Sequence, residues 1–395
     1  MGIFLLGLSS CKKENQKAEE QQMTDQQGPL VRNAYDNWKP IPNQYIVTYK
    51  NGSTVPEETN NTTTYAQREA VVQNHTQLLF ERHKISSQNI IKTFNSGIRG
   101  FAAVLNQDEL KKIHAEAEIE NVEPDRIVHL SNILLSTYSQ STQVLPWGIK
   151  KVGSADGTGK TCWIIDTGID FTHPDLNVDI ARSKSFLSTD NSAADMNGHG
   201  THVAGIIGAK DNDLGVIGVA PNASLVSLRA LDANGSGNLS DVIAAVNWVS
   251  SYAKTGDVVN MSIGGTNNSP TLDNAVYNAS MKGIYFAIAA GNDAESATLS
   301  SPGNVNSPYI STVSAMNCND NFASFSNFGN PPIDWCAPGV GIFSTYMGGK
   351  YATLSGTSMA TPHVAGLLLL DGQHIKSSGY VKNDPDGQPD KIAHL

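Results

Sequence analysis

Five short apolar runs recur through the second half of the chain: Thr161–Asp166, Leu225–Leu231, Asp257–Ser262, Gly283–Ala289 and Ile310–Ser314. Each is followed by a helix-like segment or a glycine-rich turn. Strand and helix in strict alternation predict an α/β domain, a parallel sheet with helices on both faces. In such a sheet ligands gather beyond the carboxyl ends of the strands. Asp166, Ser262 and Asn292 stand at such ends.

The first part of the chain has a different rhythm. Gln44–Tyr49 alternates as a strand, and 65–83 carries a helical period through Val71, Val72, Leu78 and Leu79. Ile90–Phe94 and Gly100–Leu105 read as strands across a turn at Gly97. Asp108 is expected to cap a helix through Ala117, and Val122–Val128 closes as a strand. The order β-α-β-β-α-β predicts a small α+β domain of the split βαβ type. Five segments follow: a signal-like start at 1–11, a polar tether at 12–41, the small domain at 42–131, a linker at 132–142, and the α/β domain at 143–395.

Composition narrows the partners. A net charge of −10 with no Lys/Arg run argues against a nucleic-acid groove. No apolar stretch reaches the roughly 18 residues of a membrane span. Leu8-Ser9-Ser10-Cys11, closing a short apolar run, resembles the lipobox of bacterial lipoproteins, which implies a lipid on Cys11. No Lys or Arg precedes that run. Cys162 falls inside a strand and is expected to be a buried thiol. Cys318 and Cys336 are close enough in sequence for an exported protein to bridge.

Three glycine-framed segments carry an acid, a base and a nucleophile. They are Asp166-Thr167-Gly168, Asn197-Gly198-His199-Gly200-Thr201-His202, and Gly356-Thr357-Ser358-Met359-Ala360-Thr361-Pro362. A serine hydroxyl attacks a carbonyl only when a histidine takes its proton, and a carboxylate must hold that imidazole in the right tautomer. Each motif alone reads as a turn, a cap or a buried helix. Together, in the order Asp…His…Ser, they resemble the subtilisin-like serine proteases.

That resemblance implies roles residue by residue. Asp166, His199 and Ser358 would form the triad. Asn292, in Ala289-Ala290-Gly291-Asn292, would be the side-chain donor of an oxyanion hole. Ser262, Ile263 and Gly264 match one wall of the main specificity pocket, and Ala289, Ala290 and Gly291 the other. With no charge on either wall, an apolar residue should precede the cleaved bond. Gly235, Ser236 and Gly237 match a strand that pairs with extended substrate. Gln143, Asp175 and Asn212, with the carbonyls of Lys210, Leu214 and Val216, match a calcium site of oxygen donors. The carboxylate-rich run from Asn383 to Asp390 is expected to be a turn-rich tail rather than a second such site.

The small domain resembles the inhibitor-type propeptide of the same family. A self-processing zymogen is thus implied, cut between Ser139 and Gln143. Substrates would be proteins or peptides, the propeptide an intramolecular inhibitor, and the enzyme an exported monomer. Its precursor would be lipid-anchored and its mature part secreted or surface-associated. The other reading is a self-processed surface lipoprotein serving mainly to bind or mature a partner. The family's neighbouring strands would allow the bridge between Cys318 and Cys336. Its last hairpin and helix look shortened here.

Overall fold

The computed structural model describes residues 38–52, 63–130 and 133–395. Cys11, and with it the expected lipid site, lies outside the described residues.

The small domain contains β1 (Lys39–Tyr49), α1 (Tyr65–Arg82), β2 (Ile90–Ser96), β3 (Ile98–Val104), α2 (Gln107–His114) and β4 (Ile119–His129). Its strands pair antiparallel in the order β2-β3-β1-β4. Alternation along the strands splits their side chains between two cores. Val47, Phe101 and Ala103 pack with Val72, Leu79, Phe80 and Ile113 of the helices. Ile46, Phe94, Ile98 and Ala102 point the other way, into the larger domain. Two expectations shift. Val71 and Leu78 are exposed, because positions 72, 76, 79 and 80 form the inward stripe. Asn106, not Asp108, caps α2: its Oδ1 accepts the N–H groups of Asp108 and Glu109, and Glu109 returns to the Asn106 N–H.

The larger domain adds β5 (Ile133–Tyr138), α3 (Trp147–Val152), β6 (Thr161–Asp166), β7 (Lys184–Ser185) and α4 (His199–Gly208). Next come β8 (Ser224–Arg229), β9 (Ser236–Asn238), α5 (Leu239–Tyr252), β10 (Val258–Met261), α6 (Pro270–Ser280) and β11 (Tyr285–Ala289). The last are β12 (Ile310–Met316), β13 (Ile333–Pro338), β14 (Ile342–Tyr346), β15 (Lys350–Ser355), α7 (Thr357–Asp371), β16 (Lys376–Tyr380) and β17 (Lys391–His394). The main sheet runs β16-β17-β13-β12-β11-β10-β6-β8-β7 and is parallel except for β16. β6 shows why both faces are covered. Cys162 and Ile164 enter the core shared with α4 and α7, while Trp163 and Ile165 enter the core shared with α5 and α6. β16 and β17 pair as an antiparallel hairpin.

The two domains are joined by polar contacts at helix N-termini. The Glu123 carboxylate accepts the Thr271 N–H at 3.0 Å at the start of α6. Asp125 accepts the Ser240 N–H at 3.0 Å at the start of α5. A carboxylate there meets the positive end of the helix dipole and satisfies an N–H that the helix cannot. Asn247 of α5 accepts the N–H groups of Asn95 and Ser96 at 2.9 and 3.0 Å, and Lys92 pairs with Asp241 at 2.8 Å. Trp38, almost wholly buried, lies against Gly265, where any Cβ would strike its indole.

The run at 383–390 forms a turn before β17, and Asp390 is buried, accepting the Ser314 hydroxyl at 2.6 Å. Burial, then the neighbouring Asp384, Asp386 and Asp334 carboxylates, push Asp390 up to about 7. Because this value lies above the ordinary carboxylate range, the folded state holds the proton more tightly than the unfolded chain. Its contribution to stability is full below about pH 4 and is lost as pH rises to about 7. Asp390→Asn should therefore stabilise the fold relative to wild type increasingly between those values. Melting curves of both proteins from pH 4 to 8 check this; a constant difference would contradict it.

Candidate active site

Asp166 ends β6, and His199 opens α4 after Gly198. The two meet: His199 Nδ1 lies 2.8 and 2.9 Å from the Asp166 carboxylate oxygens, and both side chains are fully buried. His199 Nε2 has no hydrogen-bond partner among the described residues. Gly200 is required by close approach, since a Cβ there would collide with the Gly168 carbonyl and crowd Asp166.

Asp195 was not singled out from sequence, yet it organises this corner. Its carboxylate accepts from the hydroxyls of Thr167 and Thr201 and from the N–H groups of Asn197, Gly198 and Thr201. Five donors on one buried carboxylate lock the loop that presents His199. Nothing local in Ala193-Ala194-Asp195 signals this, because every donor but one lies three or more residues away, Thr167 in the turn after β6 among them.

Ser358 is the second residue of α7. Pro362 lacks the N–H that would bond to the Ser358 carbonyl in a regular helix. The Ser262 hydroxyl donates to that carbonyl instead, at 2.9 Å, and takes a bond from Asn260 Nδ2, also at 2.9 Å. The end of β10 thus holds the backbone at Ser358. Ser358 Oγ donates to the Ser262 carbonyl at 3.3 Å. Asn292 is fixed through Oδ1, which accepts the Thr357 N–H at 2.8 Å and the Thr357 hydroxyl at 2.9 Å. Its Nδ2 is therefore the end with which it can serve an oxyanion. Nearby His202 and His363 are lowered to about 3 and about 4 by burial, so both stay neutral and neither competes as a base.

A cleft is lined by Ser262, Ile263, Gly264, Ala289, Gly291, Asn292, Thr357 and Ser358, as expected for pocket walls. Ala290 is not among the lining residues. Its side chain is buried on the far side with Ala297 and Ile333, as strand alternation requires. Asp293 lines the cleft as well, so its rim is not free of charge.

His129 and Leu130 complete the lining. β4 runs on antiparallel to β9, setting Ile127 opposite Asn238, Val128 opposite Gly237 and His129 opposite Ser236. The Leu130 N–H donates to the Gly235 carbonyl at 3.0 Å. Gly235, Ser236 and Gly237 therefore pair with extended chain, and the chain they hold is the end of the small domain. The expected cut at Ser139–Gln143 is not what lies in the cleft. Gln143 is tied elsewhere, its N–H to the Asp213 carbonyl at 3.1 Å.

The six residues expected to hold calcium are neighbours linked by hydrogen bonds. Asp175 accepts from the Val216 N–H at 2.9 Å and from Asn212 Nδ2 at 3.1 Å, and Gln143 Nε2 donates to the Lys210 carbonyl at 2.9 Å. The Lys210 ammonium is bonded to the Pro174 carbonyl at 2.9 Å. Asp175 and the carbonyls are oxygen donors of the kind a hard cation takes, and Gln143 would add another on turning its amide, but Asn212 Oδ1 is held by the Leu214 N–H at 2.7 Å.

The bridge between Cys318 and Cys336 is absent. Cys336 is fully buried opposite Ser314 on β12, and Cys318 lies four residues beyond Ser314, past the strand's end. A rise of about 3.3 Å per residue along a strand carries their Cα atoms apart. Cys162 is the buried thiol expected.

Residues 157–379 match the profile of the subtilase family, and 44–131 that of the peptidase inhibitor I9 family. A thermostable alkaline protease of Halalkalibacterium halodurans is 38% identical over 311 residues, 74% of this chain and 80% of that one. Alkaline serine exoprotease A of Vibrio alginolyticus is 38% identical over 72% of this chain, which spans only 53% of that longer protein. The crystal structure of a cold adapted subtilisin-like serine proteinase superposes with a TM-score of 0.54 at 37% identity, covering 65% of this chain and 98% of that one.

Proposed function

The chain belongs to the subtilase family, and from that premise we propose that it is an exported serine endopeptidase made as a self-processing zymogen, with Asp166, His199 and Ser358 as its triad. His199 Nε2 takes the proton of Ser358 Oγ as the oxygen attacks the substrate carbonyl. Asp166 holds the imidazole with its other nitrogen protonated and steadies the imidazolium that forms. The oxyanion receives hydrogen bonds from Asn292 Nδ2 and the Ser358 N–H. His199 then returns the proton to the departing amine, and water releases the acyl group. The observation that carries this reading is the buried Asp166–His199 pair, whose imidazole keeps an Nε2 with no partner among the described residues.

The small domain, 42–131, acts as the inhibitor, with its last strand laid in the substrate groove on β9. Self-cleavage falls between Leu130 and Ile133, at the start of the 132–142 linker rather than its end. The pocket favours an uncharged, apolar residue before the cleaved bond, and Cys11 anchors the precursor. Hydrolysis of an unrelated denatured protein by the matured enzyme is the test. Turnover is expected; processing of its own chain alone, with none of the added protein, would favour the partner-maturation reading.

Gln143, Asp175, Asn212 and the carbonyls of Lys210, Leu214 and Val216 would hold Ca²⁺ and so tie the chain at Gln143 to the 210–216 loop. An ion bound only by the folded state adds RT ln(1 + [L]/Kd) to stability. Prolonged exposure to chelator should lower the melting temperature, and Asp175→Asn should remove that response. An unchanged melting temperature in chelator would exclude the site.

A further inference from the structure

We propose that β5 is a second inhibitory element, distinct from the small domain, which occupies the groove for substrate residues after the cleaved bond. A second cut, within Ser139–Gln143, would remove it. The proposal rests on self-cleavage between Leu130 and Ile133.

β5 is the edge strand of a three-stranded sheet ordered β14-β15-β5. It runs antiparallel to β15, with Ile133 opposite Ser355, Leu134 opposite Leu354 and Tyr138 opposite Tyr351. Ser355 precedes Ser358 by three residues. The chain therefore reaches the cleft along β9, ending with Leu130, and leaves it along β15, starting at Ile133. Extended polypeptide binds by adding a strand to a free edge. On one side of Ser358 that edge is taken by β4, and on the other by β5.

The first cut frees the small domain but not β5, which stays joined through 139–146 to α3. A short tether keeps its local concentration in the range of about a millimolar, enough to hold a strand against competing substrate. Residues 137–139, 141 and 142 are exposed, and the chain is next pinned at Gln143 and Val144, whose N–H groups bond to Asp213 and Gly215. This exposed stretch stands ready for the cleft of another molecule. The step is ordinary peptide hydrolysis: that molecule's serine takes the acyl group, the amine leaves with the imidazole's proton, and water completes the exchange. It releases β5 as a peptide and uncovers the edge of β15.

The test follows full-length wild type and Gln140→Pro/Ser141→Pro/Thr142→Pro, whose prolines obstruct the second cut. Intact mass is followed over time at two protein concentrations. Turnover is measured on a tetrapeptide anilide, which has no residue after its cleaved bond, and on denatured casein. In wild type a fragment beginning at 131–133 should form at a rate independent of concentration. A fragment beginning at 140–143 should follow at a rate that rises with concentration. The proline variant, freed of its small domain by size exclusion, should stop at the first fragment. Its casein turnover should be at least tenfold below wild type, with anilide turnover within about threefold. Adding Ser136→Pro/Thr137→Pro, which removes N–H donors from both edges of β5, should restore casein turnover. A wild-type chain that keeps its start at 131–133 and digests casein fully would overturn the proposal. So would parallel loss of both activities, or a variant equal to wild type on casein. Absence of any fragment in wild type would instead refute the self-cleavage reading, and this proposal with it.

Discussion

Replacing Ser358 by alanine is expected to leave the 395-residue chain whole and to lower peptide hydrolysis about a millionfold, the loss measured in subtilisin, a member of this family. The fold should not suffer. What secures this residue is its carbonyl, held by the Ser262 hydroxyl at 2.9 Å in place of the N–H that Pro362 lacks. Alanine keeps that carbonyl, and the hydroxyl it removes makes only a 3.3 Å bond to Ser262. The melting temperature of the variant should thus match that of an uncut wild-type precursor. Intact-mass analysis after folding shows the outcome. Fragments from the alanine variant, formed in the absence of any other protease, would mean that Ser358 is not the nucleophile.

Asn292→Ala should reduce turnover by about a hundred- to a thousandfold with much smaller change in KM, as removal of such a donor does in subtilisin. The side chain is held by Oδ1, so the amide nitrogen is the donor available to the developing oxyanion. Charge that appears on the carbonyl oxygen only as the bond forms is stabilised only then, which places the loss in kcat. Alanine also removes the acceptor for the Thr357 N–H at the start of α7. Asn292→Asp separates the two effects, since it retains that acceptor while placing an oxygen where the donor was. Both variants should lose turnover, but only alanine should also lower the melting temperature. Wild-type turnover in either one would remove Asn292 from the oxyanion role, and recovery in the aspartate variant would make the loss structural.

Much of the candidate active site was legible in the sequence because its signals are local. A strand that ends in Asp166-Thr167-Gly168, a helix that opens on His199 between glycines, and another that opens with Thr357-Ser358 each reflect constraints within a few residues of chain. The parallel sheet followed from the same kind of signal, the repeat of apolar strand and helix. The small domain's topology was legible too, from strand alternation and helical period, although the cap of α2 fell on Asn106 rather than Asp108.

Contacts between distant segments were not. Asp195 gathers donors from a neighbouring strand and helix, and no spacing near it foretells that. Nor does anything in Gly235-Ser236-Gly237 say that Val128 and His129 will lie beside it, or that 133–138 will pair with β15. Either strand, read alone, is a polar or apolar run that many edges would accept. Cys318 and Cys336 looked bridgeable by sequence distance, but the β12–β13 register put Ser314 opposite Cys336 and carried Cys318 past the strand's end. By itself the sequence determined which chemistry is present and on what kind of scaffold, because periodicity and turn residues act through neighbouring backbone. Only the tertiary structure decided that β4 pairs with β9 and β5 with β15, because strand register is set by packing and hydrogen bonding between residues a hundred or more positions apart.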